Sequence, residues 1–229
     1  MKKMAKLLVV IALLGSVIPV MAQEYKTREV PNAPAFTSIE ISAGDANIFF
    51  SQGENHSFAI NGPAKALKAT KIKVKGNTLF INYNEPLFLG DDDLNIYITA
   101  PQLNRINVSG EADFKSKTSF QGKELTIITR QNGEVSMKNV ATTQINIDAK
   151  GSSSVELDYI QADMIHITAL DRAEVELSGN TNQMNVVKKG MFAEIDTSKL
   201  NVTHSTNNNA GSGSKQIAKD GSIDFIFND

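Results

Sequence analysis

Four segments of the chain, 125–139, 145–159, 165–179 and 185–199, align without a gap at a step of 20 residues. LTIITRQNGEVSMKN is followed by INIDAKGSSSVELDY, IHITALDRAEVELSG and NVVKKGMFAEIDTSK. One column holds Ile127, Ile147, Ile167 and Val187; a second holds Val135, Val155, Val175 and Ile195; a third holds Met137, Leu157, Leu177 and Thr197. An earlier segment, INVSGEADFKS at 106–116, joins with one extra residue and sets Val108 near Thr129 and Phe114 over Val135. A fixed period of this size marks a repeat architecture, because each unit can bury its apolar face only against its neighbours.

Within each repeat apolar and polar residues alternate, as in Leu125, Ile127 and Val135, Met137, which is the period of a strand with one buried face. Between the two strands stand Gln131-Asn132-Gly133, Gly151-Ser152-Ser153 and Asp171-Arg172-Ala173, residues suited to tight turns. The column Gly133, Ser153, Ala173, Ala193 is uniformly small, as an inward corner requires. An antiparallel sandwich would also alternate, but it has no reason to keep a gap-free repeat. Stacked coils line up like residues about 4.8 Å apart and pair every backbone group in parallel ladders. The expected fold is all-β: a parallel β-solenoid of about 20 residues per coil.

Residues 36–100 hold further strand-like runs, FTSIEI, ANIFFS, HSFAIN, KIKVKG, TLFINY and LNIYITA, and are expected as an irregular β region capping the solenoid. The repeat solenoid is expected over 101–229, with Ser222 to Phe227 as the final strand of a C-terminal cap after the Gly211–Ser214 turn. Together 36–229 are expected to form one continuous domain, preceded by a loose leader at 23–35.

The first residues read as a signal peptide. Lys2, Lys3 and Lys6 precede an apolar run from Leu7 to Val20, and Val20-Met21-Ala22 offers a cleavage site after Ala22. The run is short of the ~20 residues of a membrane-spanning helix. The expected product is exported, in the periplasm, at the cell surface or secreted, with no membrane-spanning segment after cleavage. Losing three lysines leaves 20 basic residues against 25 acidic ones, so 20 − 25 = −5. That sign argues against nucleic acid and anionic membranes as partners. Without cysteine, stability rests on the apolar core and not on disulfides, and thiol chemistry is excluded.

The segments FTSIEISAGDANIFFSQGENHSFAINGP at 36–63, KGNTLFINY at 75–83 and IYITAPQLNRINVSGEADF at 96–114, with small-residue turns such as Ser109-Gly110-Glu111 and Gly211-Ser212-Gly213, resemble the bacterial family called putative autotransporter adhesin, head GIN domain. The resemblance implies a right-handed parallel β-helix similar to the pectate-lyase type, the hand that parallel crossovers generally take, with no assigned catalytic residues and a role in adhesion.

No constellation for catalysis converges in the sequence. His56, His166 and His204 share no coil position and lack zinc-ligand spacing. They are expected as exposed, solvated side chains. No serine sits in a Gly-x-Ser-x-Gly elbow, and no glycine loop opens a helix to cradle phosphate. Asp91-Asp92-Asp93 could offer oxygen ligands to calcium, but the alternating spacing and glycine of a calcium loop are missing, so a solvated loop is expected. No metal or cofactor is expected.

One surface pattern stands out. With Val135, Val155, Val175 and Ile195 inward, their neighbours stack outward as Asp113, Glu134, Ser154, Glu174, Glu194 and as Lys115, Ser136, Glu156, Glu176, Asp196. The expected acidic face is Asp113, Glu134, Glu156, Glu174, Glu176, Glu194 and Asp196. It either keeps a flat sheet soluble or binds a cation or a basic partner. The functional expectation is an exported, non-catalytic binding module of adhesin type for an unknown glycan or protein, with self-association through solenoid edges as a further option. The alternatives are a polysaccharide lyase or hydrolase on a β-helix scaffold, or a structural envelope component holding an apolar ligand. The lyase would need Arg and Lys interleaved with the acids, whereas Arg130 and Arg172 belong to turns.

Overall fold

The computed structural model describes residues 25–83, 94–207, 214–217 and 223–226. The signal peptide and Asp91–Asp93 lie outside the described residues. The elements are β1 (Tyr25–Val30), β2 (Ser38–Gln52), β3 (Ser57–Pro63), one short helix α1 (Ala64–Ala69), β4 (Thr70–Lys75), β5 (Thr78–Tyr83) and β6 (Asn95–Ala100). The repeat region follows as β7 (Arg105–Ser116), β8 (Phe120–Gln131), β9 (Glu134–Lys138), β10 (Val140–Gly151), β11 (Ser154–Asp171), β12 (Glu174–Lys189) and β13 (Glu194–Asn207); β14 (Ser214–Ile217) and β15 (Ile223–Ile226) close the chain.

The repeat region is a parallel β-solenoid. Ile147 pairs in parallel register with Ile127 on one side and Ile167 on the other. Val155 likewise pairs with Val135 and Val175. The physical cause is the alternation itself: from Ile145 to Ala149 the inward Ile145, Ile147 and Ala149 are buried and the intervening Asn146 and Asp148 are not. Each such isoleucine contributes roughly 1.5–3 kcal/mol by leaving water, and only stacking removes it from water.

The spine reaches further toward the N-terminus than the repeats alone indicate. Leu79 pairs with Ile39, Ile39 with Ile106, and Ile106 with Ile127, so one buried column continues through β5, β2 and β7. Ile96, Ile48, Phe114 and Val135 extend the second column in the same way. Thus β2 is a full winding, and β5 with β6 forms another on its far side. The irregular part of 36–100 is the antiparallel packing of β3 on β6 and of β4 on β5. These connections lengthen the first windings and hide the period.

Two expectations need correction. Val187 is not inward: Ile167 pairs with Val186, which is 8% exposed, while Val187 is 49% exposed. The register shortens by one residue after Leu157, past Tyr159, and a bulge at Val187 restores it. Residues 25–30, expected within a loose leader, form β1, which pairs antiparallel with β3. At the other end β15, within the segment expected as the final strand, pairs antiparallel with β14 in a separate two-stranded sheet.

A third buried column escapes the sequence alignment. Phe120 pairs with Val140, and Ile160 and Leu200 pair with Gly179 on successive windings. All four apolar residues are buried. Each winding therefore has three sides, lying around residues 140–144, 144–151 and 154–158 in one representative turn.

Candidate functional site

The acidic face is assembled as its strands dictate. Asp113 pairs with Glu134, Glu134 with Ser154, Ser154 with Glu174, and Glu174 with Glu194. In the next outward row Glu156 pairs with Glu176 and Glu176 with Asp196. All seven expected acids thus share one side of the solenoid. Lysines temper it: Lys115 Nζ lies 3.2 Å from Asp113 Oδ2, Lys138 Nζ 3.4 Å from Asp158 Oδ2, and Lys199 Nζ 3.2 Å from Glu176 Oε1.

Burial raises the pKa of Glu134, and the charges of Asp113 and Glu174 add to this against the opposing pull of Lys115. At the edge, the backbone N–H and hydroxyl of Ser198 donate to Asp196 and lower its pKa. The hydrogen bond to Glu176 raises that of Lys199. Among the described residues no group of three or more His, Cys, Asp or Glu side chains could hold a metal ion. A ladder of single carboxylates, one per winding, presents a field and not a cage.

The second outward row of this side changes character along the stack. It runs Tyr97, Phe49, Lys115, Ser136, Glu156, Glu176, Asp196, one residue per winding. The rings of Phe49 and Tyr97 stack with centroids 5.2 Å apart, and Lys117 Nζ lies 4.1 Å from the Phe49 centroid. The aromatic end was legible only in hindsight. Phe49 and Tyr97 occupy outward places of alternating strands, where a large ring is unexpected.

A second side carries the opposite charge, which sequence reasoning missed. Arg105 stands outward on β7, Arg130 on β8 and Lys150 on β10, with Arg130 and Lys150 direct register partners. Lys188 continues this side on β12, opposite Thr168. Lys71, Lys73 and Lys75 of the edge strand β4 extend it at the other end, opposite Asn82, Phe80 and Thr78. Arg130 is not free for catalysis: its guanidinium donates to the backbone oxygens of Thr129 and Asp148 and to Asp148 Oδ2 at 2.6 Å. Among the described residues the acids on this side, Glu40 and Asp148, stand singly in its middle row.

The third side holds a shallow polar groove of about 380 Å³. Its floor contains Thr142, Ala162 and Thr181, register partners on three windings. One wall carries Gln161, Asn180 and Asn201, which are also register partners; the other carries Asp163 and Asn182. Asn201 Nδ2 donates to Asn180 Oδ1 and Asn182 Nδ2 to Asp163 Oδ1, each at 3.0 Å.

The histidines remain apart. His56 is not simply solvated: it is half-buried, with Nε2 3.0 Å from the Phe36 carbonyl and its ring edge-on to Phe36 at 5.0 Å. His166 faces outward between Asn146 and Asn185, and His204 is exposed on β13. Among the described residues no helix is long and apolar enough to cross a membrane.

Comparison with known proteins places this geometry. The family described as "Putative auto-transporter adhesin, head GIN domain" matches residues 35–227. Among solved structures, an adhesin of Parabacteroides distasonis described as putative superposes with a TM-score of 0.71 at 15% identity, covering 80% of this chain and 77% of that one. A protein of the same species described as "Putative lipid binding protein" gives 0.69 at 18% identity over the same shares. A further adhesin of Parabacteroides merdae, also described as putative, gives 0.69 at 17% identity, again over 80% and 77%. Identity at this level speaks to the fold alone. No curated protein matches.

Proposed function

The chain belongs to the putative auto-transporter adhesin, head GIN domain family, and on that premise we propose that it is an exported, non-catalytic binding module of adhesin type. The observation that carries the reading is the alignment of outward side chains into straight rows, one residue per winding, predominantly acidic along one side. A stacked sheet holds such rows rigidly, so a ligand meets preorganised charge and little ordering entropy is lost on binding. The acidic side, from Glu134 to Asp196, takes a basic protein surface, with charge complementarity setting the approach.

Export follows from the apolar N-terminal run and the Val20-Met21-Ala22 site, and it predicts a mature chain beginning at Gln23. The name of one structural neighbour raises lipid binding as an alternative. Here the interior columns are filled by Ile, Val, Leu and Phe side chains that are almost wholly buried, which favours a packed core over an internal ligand.

The test is a binding array of matrix and surface proteins and glycans probed with the purified chain and with a Glu174→Lys/Glu176→Lys variant. Binding to basic proteins that weakens with salt and is lost in the variant supports the acidic side. Undiminished binding by the variant discards that side. Absence of binding to any surface protein or glycan discards the adhesin reading itself.

A further inference from the structure

We propose that the groove on the third side is a binding site for a neutral oligosaccharide lying along the stacking axis. It is distinct from the acidic side and goes beyond the adhesin reading, since it names a separate site and a different ligand chemistry.

Three features of the groove support this assignment. First, the groove is long and parallel to the stack: its floor and walls repeat once per winding from Thr142 past Ala162 and Thr181, with Asn201 on the next turn. At about 4.8 Å per winding, this is room for a short chain of sugars and not for one. Secondly, the walls alternate donors and acceptors. Asn180, Asn182 and Asn201 are oriented by the two ladder bonds described above, and each amide keeps hydrogen-bonding capacity that those bonds do not use. Hydroxyl groups are the ligand chemistry that satisfies mixed amide donors and acceptors together. Thirdly, the floor offers little polarity of its own. Thr142 and Thr181 are buried and donate their hydroxyls to the backbone oxygens of Gln144 and Gln183, which leaves the half-buried Ala162 and Val202 as the apolar contacts for the C–H face of a sugar ring.

Charge decides the class of sugar. Among the described residues Asp163 is the one ionisable side chain lining the groove, so an anionic polysaccharide meets repulsion there. A neutral chain accepts nothing from the carboxylate but donates hydroxyls to it. Among the described residues no ring lines the groove, so each site binds weakly, and useful attachment comes from many copies engaging one glycan surface.

The experiment titrates the purified full chain with neutral tetrasaccharides of glucose, mannose and N-acetylglucosamine, and with an acidic tetragalacturonate, following side-chain amide signals by NMR. The expected result is a shift of the Asn180, Asn182 and Asn201 amide signals with at least one neutral sugar. Affinity should fall about tenfold or more in Asn180→Ala/Asn182→Ala, both exposed positions, and stay within about twofold in Glu174→Lys/Glu176→Lys. Four outcomes overturn the proposal: no neutral sugar binds, shifts fall on another side, the double alanine variant binds like the parent, or tetragalacturonate binds more tightly. If the chain still captures basic proteins while these sugars fail, only the groove is refuted and the adhesin reading survives.

Discussion

Gln131 and Gly151 are register partners at one corner of consecutive windings, and both run at positive φ, 60° and 95°. Asp171, the next partner of Gly151, runs at 61°. With Gly110, the partner of Gln131, at 92°, this corner takes a left-handed residue on four consecutive windings whatever the side chain. A second corner repeats the demand at Asn139, Tyr159 and Gly179, with φ of 55°, 57° and 118°.

At the first corner, Gly151→Ala should destabilise by at least about 1–3 kcal/mol, because the left-handed backbone is strained for a side chain and its Cβ would lie 2.8 Å from the Gln131 carbonyl oxygen. Gly44→Ala, which meets nothing within 4 Å, should be nearly neutral. Urea midpoints of the two variants measure the difference.

At the second corner, Tyr159 is 66% exposed and gives up little packing if removed. Tyr159→Gly should raise stability by up to ~1 kcal/mol, since left-handed backbone costs a non-glycine residue about that much. A lower urea midpoint than the parent would show that the ring contributes more than its exposure indicates.

The corrected register makes neighbouring valines unequal. Val186→Ala should cost roughly 1–2 kcal/mol for two buried methyl groups, whereas Val187→Ala should stay within about 0.5 kcal/mol. Equal losses in thermal unfolding would place the bulge elsewhere.

Glu134 gives a pH signature. Its folded pKa is raised by burial and by Asp113, so the folded state binds the proton more tightly than the unfolded chain. Stability from this group falls as pH rises through the window between the unfolded and the raised value. Glu134→Gln should therefore raise the midpoint at pH 7 by about 1 °C, the scale of a partly exposed charge in a chain of this size. The advantage should vanish below about pH 4, where the parent carboxyl is protonated in both states. Thermal melts at the two pH values check the sign.

How much was legible in advance differs between spine and surface. The columns Ile127–Ile147–Ile167 and Val135–Val155–Val175, the small corner at Gly133, Ser153 and Ala173, and the acidic side were all readable from period and alternation, because stacking repeats one environment every 20 residues. The windings of β2, β5 and β6 were not, because their partners lie 40 or more residues away along the chain, beyond any local period. Nor was the third column, whose Phe120, Val140 and Ile160 give way to Gly179 where a side chain would strike the Ile160 backbone.

The sequence alone determined that this chain must wind: strands that bury one face, repeated at constant length, have no partner but their own copies. Only the tertiary structure decided which side each outward residue joins. The basic side gathers Lys71 from an antiparallel hairpin with Arg130 and Lys188 from distant windings, and the groove exists because Ala162 is small where the walls around it are not. Inward positions are dictated by water exclusion, which leaves a period in the chain. Outward positions are set by where each corner falls, and a one-residue shift such as that at Tyr159 moves them without altering the pattern of apolar residues.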